Sequence, residues 1–224
     1  MNIKKNKIIS FLLIALTTSF FQVVGQPYEK KAKAILDDVS AKIKSYKSIK
    51  IEFTYRFESG DNKNKTAAKP FDKAGSLQIK GEKYNLNISG QTIICDGKTI
   101  WTYIKDSKEV QIKSVDPVSE EENPQKILTG YNANYKPKLI KEDVIGGKEV
   151  YIIDLTPIKG KSFYRIRMVI DKNKKQVISS TVDQKDGSKI IYNIKTFATD
   201  VPLNDALFTF NKAEYPGVEV IDMR

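Results

Sequence analysis

Residues 49 to 58, IKIEFTYRFE, set Ile49, Ile51, Phe53, Tyr55 and Phe57 in strict alternation with Lys50, Glu52, Thr54, Arg56 and Glu58. A period of two sends successive side chains to opposite faces, so this stretch reads as a strand with one strongly apolar face. Just before it, YEKKAKAILDDVSAKIKSY changes period: Ala32, Ile35, Val39, Ile43 and Tyr46 recur at steps of three and four. That spacing predicts an amphipathic helix over 28–46 with a lysine-rich outer face. After a polar run from Gly60 to Pro70, short strand patterns follow at 73–80, 83–89, 91–95, 98–104 and 108–113. A second set lies at 137–145, 148–155, 162–170, 176–183 and 188–197, with turn residues between the members. LFTF at 207–210 reads as a last short strand, followed by a strand-like tail. Between the two sets, Asn123 before Pro124 supplies a helix cap and a first-turn proline, which predicts a short inserted helix with Ile127 and Leu128 as its apolar patch.

These elements predict an α+β, mainly β fold: one curved, meandering antiparallel sheet with an N-terminal amphipathic helix and a short inserted helix. So many strands present more apolar face than the helices can cover, and curling towards a barrel is one way to bury the rest. The inner candidates are Phe53, Tyr55, Phe57, Leu77, Ile79, Tyr84, Leu86, Ile88 and Ile100, with Trp101 on the barrel wall or rim. Pattern alone leaves a filled and a hollow interior both open.

The first residues alter the picture of where such a sheet would work. Lys4, Lys5 and Lys7 precede an apolar run from Ile8 to Leu16, and Val23 with Gly25 form a small-residue cleavage pattern. Residues 1–25 therefore read as a secretory signal peptide, leaving 26–224 as a single exported domain. The competing reading, an uncleaved anchor, is weakened by Ser10, Thr17, Thr18, Ser19 and Gln22 within the run. Without the leader lysines the formal charge of +11 falls to about +8. Export argues against nucleic acid, and the lysines are scattered among strand positions as on solvated faces; anionic headgroups are the remaining partner that charge suggests.

Candidate chemistry is sparse. The chain has 1 cysteine and 0 histidines, so it can form no internal disulfide and lacks the commonest general base and metal ligand. In CDGKTIWTY, Cys95 adjoins Asp96, whose charge disfavours a thiolate, and Asp96-Gly97 reads as a tight turn between strands. Asp37-Asp38 and Glu120-Glu121-Glu122 read as solvated carboxylates rather than acid/base pairs. Arg165 and Arg167 share one face of a strand and could meet a phosphate or a carboxylate, although exposed strand arginines are common. No catalytic residue, metal site or cofactor is expected.

Taken in order, several local strings resemble the periplasmic outer-membrane lipoprotein carrier family, LolA. They are KIKSYKSIKIEFTYRF, GSLQIK, IICDGKTIWTY, the pair YIIDLTP and FYRIRMVID, VDQKDGSKIIYNI, and LFTFNKAEYPGVEVID. The resemblance implies an unclosed barrel of about eleven antiparallel strands, with helices as a lid over a hydrophobic cavity. The inner candidates and Trp101 would then line an acyl-chain cavity, and Ile35, Val39, Ile43, Ile127 and Leu128 would face it from the lid. It implies a monomeric, non-enzymatic periplasmic chaperone that takes lipidated proteins from an ATP-driven lipoprotein-releasing transporter of the inner membrane (an ABC transporter). An outer-membrane acceptor would receive them. Family members usually carry a Lys-Arg-Pro step linked to lid closure; here the run is IKGEKYNL, with Lys80 kept, Gly81 in place of the arginine and Glu82 in place of the proline. Two neighbouring readings are a carrier of other lipids or acylated small molecules, and a module that senses lipoproteins.

Overall fold

The two periods become a 20-residue helix and a ten-residue strand in a computed structural model that describes residues 26–60, 72–116, 129 and 131–224. The helix α1 spans Gln26–Ser45, with Glu29 in its first turn and Lys42 and Lys44 in its last, charges that suit the helix dipole at each end. It buries Ala32, Leu36, Val39 and Ile43, while Ile35 stands half-buried beside them. The strands are β1 (Ile49–Glu58), β2 (Lys73–Lys80), β3 (Lys83–Ile88), β4 (Gln91–Cys95), β5 (Thr99–Ile104) and β6 (Glu109–Ser114). A one-turn helix α2 (Tyr131–Asn134) leads into β7 (Tyr135–Ile145), β8 (Lys148–Pro157), β9 (Phe163–Asp171), β10 (Gln176–Gln184), β11 (Lys189–Thr199) and β12 (Glu219–Asp222).

Among the described residues these form one twelve-stranded sheet in the order β12-β6-β5-β4-β3-β2-β1-β11-β10-β9-β8-β7. Neighbours are antiparallel, except that β12 adds parallel to β6. β12 and β7 are its two edges, so the sheet is an open half-barrel, with one strand more than the resemblance implied. LFTF does not form a strand. Asn204 accepts a hydrogen bond from the Ala206 N–H at 3.0 Å and starts a 3-10 turn over Asp205–Phe208, which buries Phe208 completely against the outside of β3 and β4. The expected leader at 1–25 and the inserted helix with Ile127 and Leu128 lie outside the described residues.

Candidate functional site

Strand register sorts the inner face of β1 to β5 into rows. The pairings Ile49 to Ile79, Ile79 to Tyr84, Tyr84 to Cys95 and Cys95 to Ile100 make one row, every member 5 % exposed or less. One step along the strands, Phe197, Ile51, Leu77, Leu86 and Ile93 pair in a second row, and each of these is only half-buried. Both rows belong to a single apolar cluster with Ala32, Leu36, Val39 and Ile43 of α1. Tyr46, just past the helix, meets Phe197 edge-on with ring centroids 6.3 Å apart. The facing wall comes from β7, β8 and β9, where Leu139, Ile153, Leu155, Ile166, Met168 and Ile170 are buried in the same cluster.

Of the residues singled out from sequence, Leu77, Ile79, Tyr84, Leu86 and Ile100 are brought together in these two rows. Phe53 and Tyr55 continue the same face of β1 and contact the Tyr192 ring at 6.1 and 6.4 Å. Burial, and then Tyr55, push the Tyr192 hydroxyl pKa up. Phe53 and Ile88 also border an open groove of about 600 Å³, whose lining includes Tyr103 together with Ser76, Asn87 and Thr92. Phe57 ends the row 56 % exposed. Ile51, Ile93 and Phe197 were missed, although the alternation of β1 already placed Ile51 on this face.

Trp101 does not join them, which corrects the expectation for it. Its register partners are Ile94 and Ile112, on the outer side of the sheet, because the residue after Ile100 must point the opposite way. There it packs with Val110, Ile112, Val218, Phe210 and Tyr215, beneath the C-terminal segment. Of the expected lid residues, Val39 and Ile43 are buried against the sheet and Ile35 half-buried.

The polar expectations also find places. Cys95 is buried in the first row; its sulfur accepts from the Gly97 N–H at 3.3 Å. The Asp96 carboxylate accepts from the Lys98 and Thr99 N–H groups at 2.8 and 2.7 Å, shaping the β4–β5 turn. Gly81 opens the two-residue hairpin between β2 and β3 at φ +60°, where a β-carbon would meet nothing within 4 Å. Arg165 and Arg167 are not free: on the outer face Arg167 makes a two-pronged bond to Asp154 at 2.7 and 2.8 Å, and Arg165 reaches the buried Asp183 at 2.8 Å. Hydrogen bonding to those carboxylates raises both arginine pKa values. Among the described residues no group of three acidic, cysteine or histidine side chains could hold a metal ion.

The geometry is thus an apolar concave face, sealed at one end and half-open along its middle, with a helix laid over it. Residues 44–211 match the family model described as "Outer membrane lipoprotein carrier protein LolA". No curated protein matches the chain. Among solved structures, an uncharacterised conserved protein from Thermus thermophilus has a similar fold, with a TM-score of 0.57 at 9% identity over 86% of this chain and 99% of that one. A putative outer membrane lipoprotein-sorting protein domain from Vibrio parahaemolyticus aligns with a TM-score of 0.46 at 11% identity, over 84% and 99% of the two chains. Lipoprotein LppX from Mycobacterium tuberculosis aligns at 0.42 and 14%, over 77% and 98%. The family match spans most of the described sheet, and the chain belongs to the outer membrane lipoprotein carrier protein LolA family.

Proposed function

We propose that this protein is a periplasmic carrier that receives the acyl chains of lipidated proteins on its concave face and takes them from the inner to the outer membrane. The observation that carries this reading is the half-buried row Phe197, Ile51, Leu77, Leu86 and Ile93 beside a fully buried one. Each methylene drawn out of a bilayer into water costs about 0.8 kcal/mol, so a multiply acylated protein needs an apolar host to cross an aqueous compartment. A face of branched and aromatic side chains meets that need without chemistry, and we assign the protein no catalytic step. In this reading residues 1–25 are a cleaved leader and 26–224 act as one monomeric carrier domain, loaded by an ATP-driven transporter of the inner membrane and unloaded at an outer-membrane acceptor.

The test is to deplete the protein in cells and fractionate the membranes, while extracting the purified protein for mass spectrometry of bound acyl groups. Retention of lipoproteins in the inner membrane, with acylated polypeptide co-purifying, is expected. Free lipids in place of acylated polypeptide would indicate a lipid carrier on the same fold. Unchanged lipoprotein distribution together with no bound acyl groups would sink both readings.

A further inference from the structure

The helix α1 meets the far wall of the half-barrel along a polar seam. Glu142 on β7 bridges two lysines: one carboxylate oxygen accepts from Lys31 of α1 and the other from Lys172, just past β9. Further along, Lys175 pairs with Asp38 of α1 at 2.8 Å, and Lys42 donates to the Lys174 carbonyl at 2.7 Å. Beneath the first two of these links lies a slot of about 200 Å³. Ile35, Val39, Tyr151 and Ile170 give it an apolar floor beside the buried Asp171, and Lys31, Asp38, Lys172 and Lys175 form its rim. The Lys172 ammonium stands 4.9 Å from the Tyr151 ring centroid, so this lysine links rim to floor. All four floor residues belong to the apolar cluster that continues into the two rows on β1 to β5.

We infer that this slot is the entrance by which an acyl chain passes beneath α1, with the Lys31–Glu142–Lys172 bridge and the Asp38–Lys175 pair as its gate. The inference rests on the carrier reading. The geometry suits a gate because the paired side chains are about half exposed, apart from Lys172, and swing without moving backbone. The pairs tie helix to sheet across the mouth of the slot, so their release frees α1 to part from the floor, where Val39 and Ile170 are closed to solvent. Exposed ion pairs are weak and screened by salt, so the gate opens readily and more so at high ionic strength.

The test is stopped-flow uptake of a fluorescent monoacylglycerol by the purified protein. The probe is neutral, so any effect of charge is on the gate and not on the ligand. Glu142→Gln raises the uptake rate roughly two- to fivefold at low salt, the size expected for losing an exposed ion-pair bridge, and flattens the acceleration that the parent shows with added salt. Ala34→Trp, at an exposed helix position on the slot, lowers the rate by roughly tenfold or more with an unchanged plateau, because closing a path acts on rate rather than on affinity. Parent-like rates in both variants, with normal plateaus, would overturn the entrance while leaving the carrier reading intact. Failure of the parent protein to take up any probe would overturn the carrier reading and the entrance with it.

Discussion

The ring of Phe53 lies across Gly75: a β-carbon at residue 75 would fall 2.4 Å from two of its ring atoms. The two residues are register partners on β1 and β2, and the same ring contacts Tyr55 and Tyr192, so glycine at 75 is what lets three aromatic side chains share this part of the concave face. Gly75→Ala should displace the Phe53 ring and cost about 1–3 kcal/mol, the usual range for overpacking. Urea denaturation checks this, and an unchanged midpoint would show that the ring moves aside freely.

The two rows predict different fates for the same substitution. Ile79→Asp, in the sealed row, should leave little folded protein, since a carboxylate buried without a partner costs several kcal/mol. Leu86→Asp, in the half-buried row, should stay folded by circular dichroism but lose acyl-probe binding. Trp101→Ala should lower stability by about 3–5 kcal/mol at most and leave probe affinity unaltered, because its ring faces the other side of the sheet. Equal loss of binding in Trp101→Ala and Leu86→Asp would contradict this division of the faces.

Restoring the family residue should not help. Gly81→Arg places a side chain at φ +60°, in a turn where its β-carbon would meet nothing within 4 Å, so it adds strain of about 1 kcal/mol without gaining any packing at that carbon. A thermal melt should show a lower midpoint than the parent, and a higher one would mean that the arginine had found a new contact.

Hydrogen bonding from Lys172 and then Lys31 holds the Glu142 carboxyl at a pKa of about 2, against an ordinary value of 4.5. A depressed carboxylate contributes its stabilisation in full above the ordinary value and loses it as pH falls towards about 2. Glu142 should therefore keep its charge at neutral pH and lose it, and with it the attraction to both lysines, only in acid. Carbon-detected NMR titration of Glu142 should give a midpoint below the ordinary 4.5, and a midpoint at 4.5 would mean that the bridge does not form in solution.

Much of the sheet was legible because strand alternation is a local property: IKIEFTYRFE could bury only one of its faces, and it buries the apolar one. The facing wall was harder to read. YIIDL in β8 is nearly continuous in apolar residues, since Ile152 is buried on the outer face while Ile153 and Leu155 are buried on the inner. LFTF misled because propensity favours a strand there, while the Asn204 cap turns the chain into a 3-10 turn. The Trp101 misplacement came from setting two adjacent strand residues on one face. The seam lay beyond sequence reasoning altogether: Lys31 and Glu142 are separated by 111 positions, and nothing in their local patterns pairs them.

An incomplete barrel carries a hazard, because each free margin is a row of unsatisfied amides and carbonyls on which a second molecule can add a strand. Glu219–Asp222 lies along β6 from Glu109 to Ile112, so that side of the sheet ends in a strand only four residues long. The other, β7, has a register break between Leu139 and Lys141 and exposed lysines at 136 and 138. Both devices oppose edge-to-edge polymerisation, so the sheet can stay open to a guest without becoming a template for fibrils.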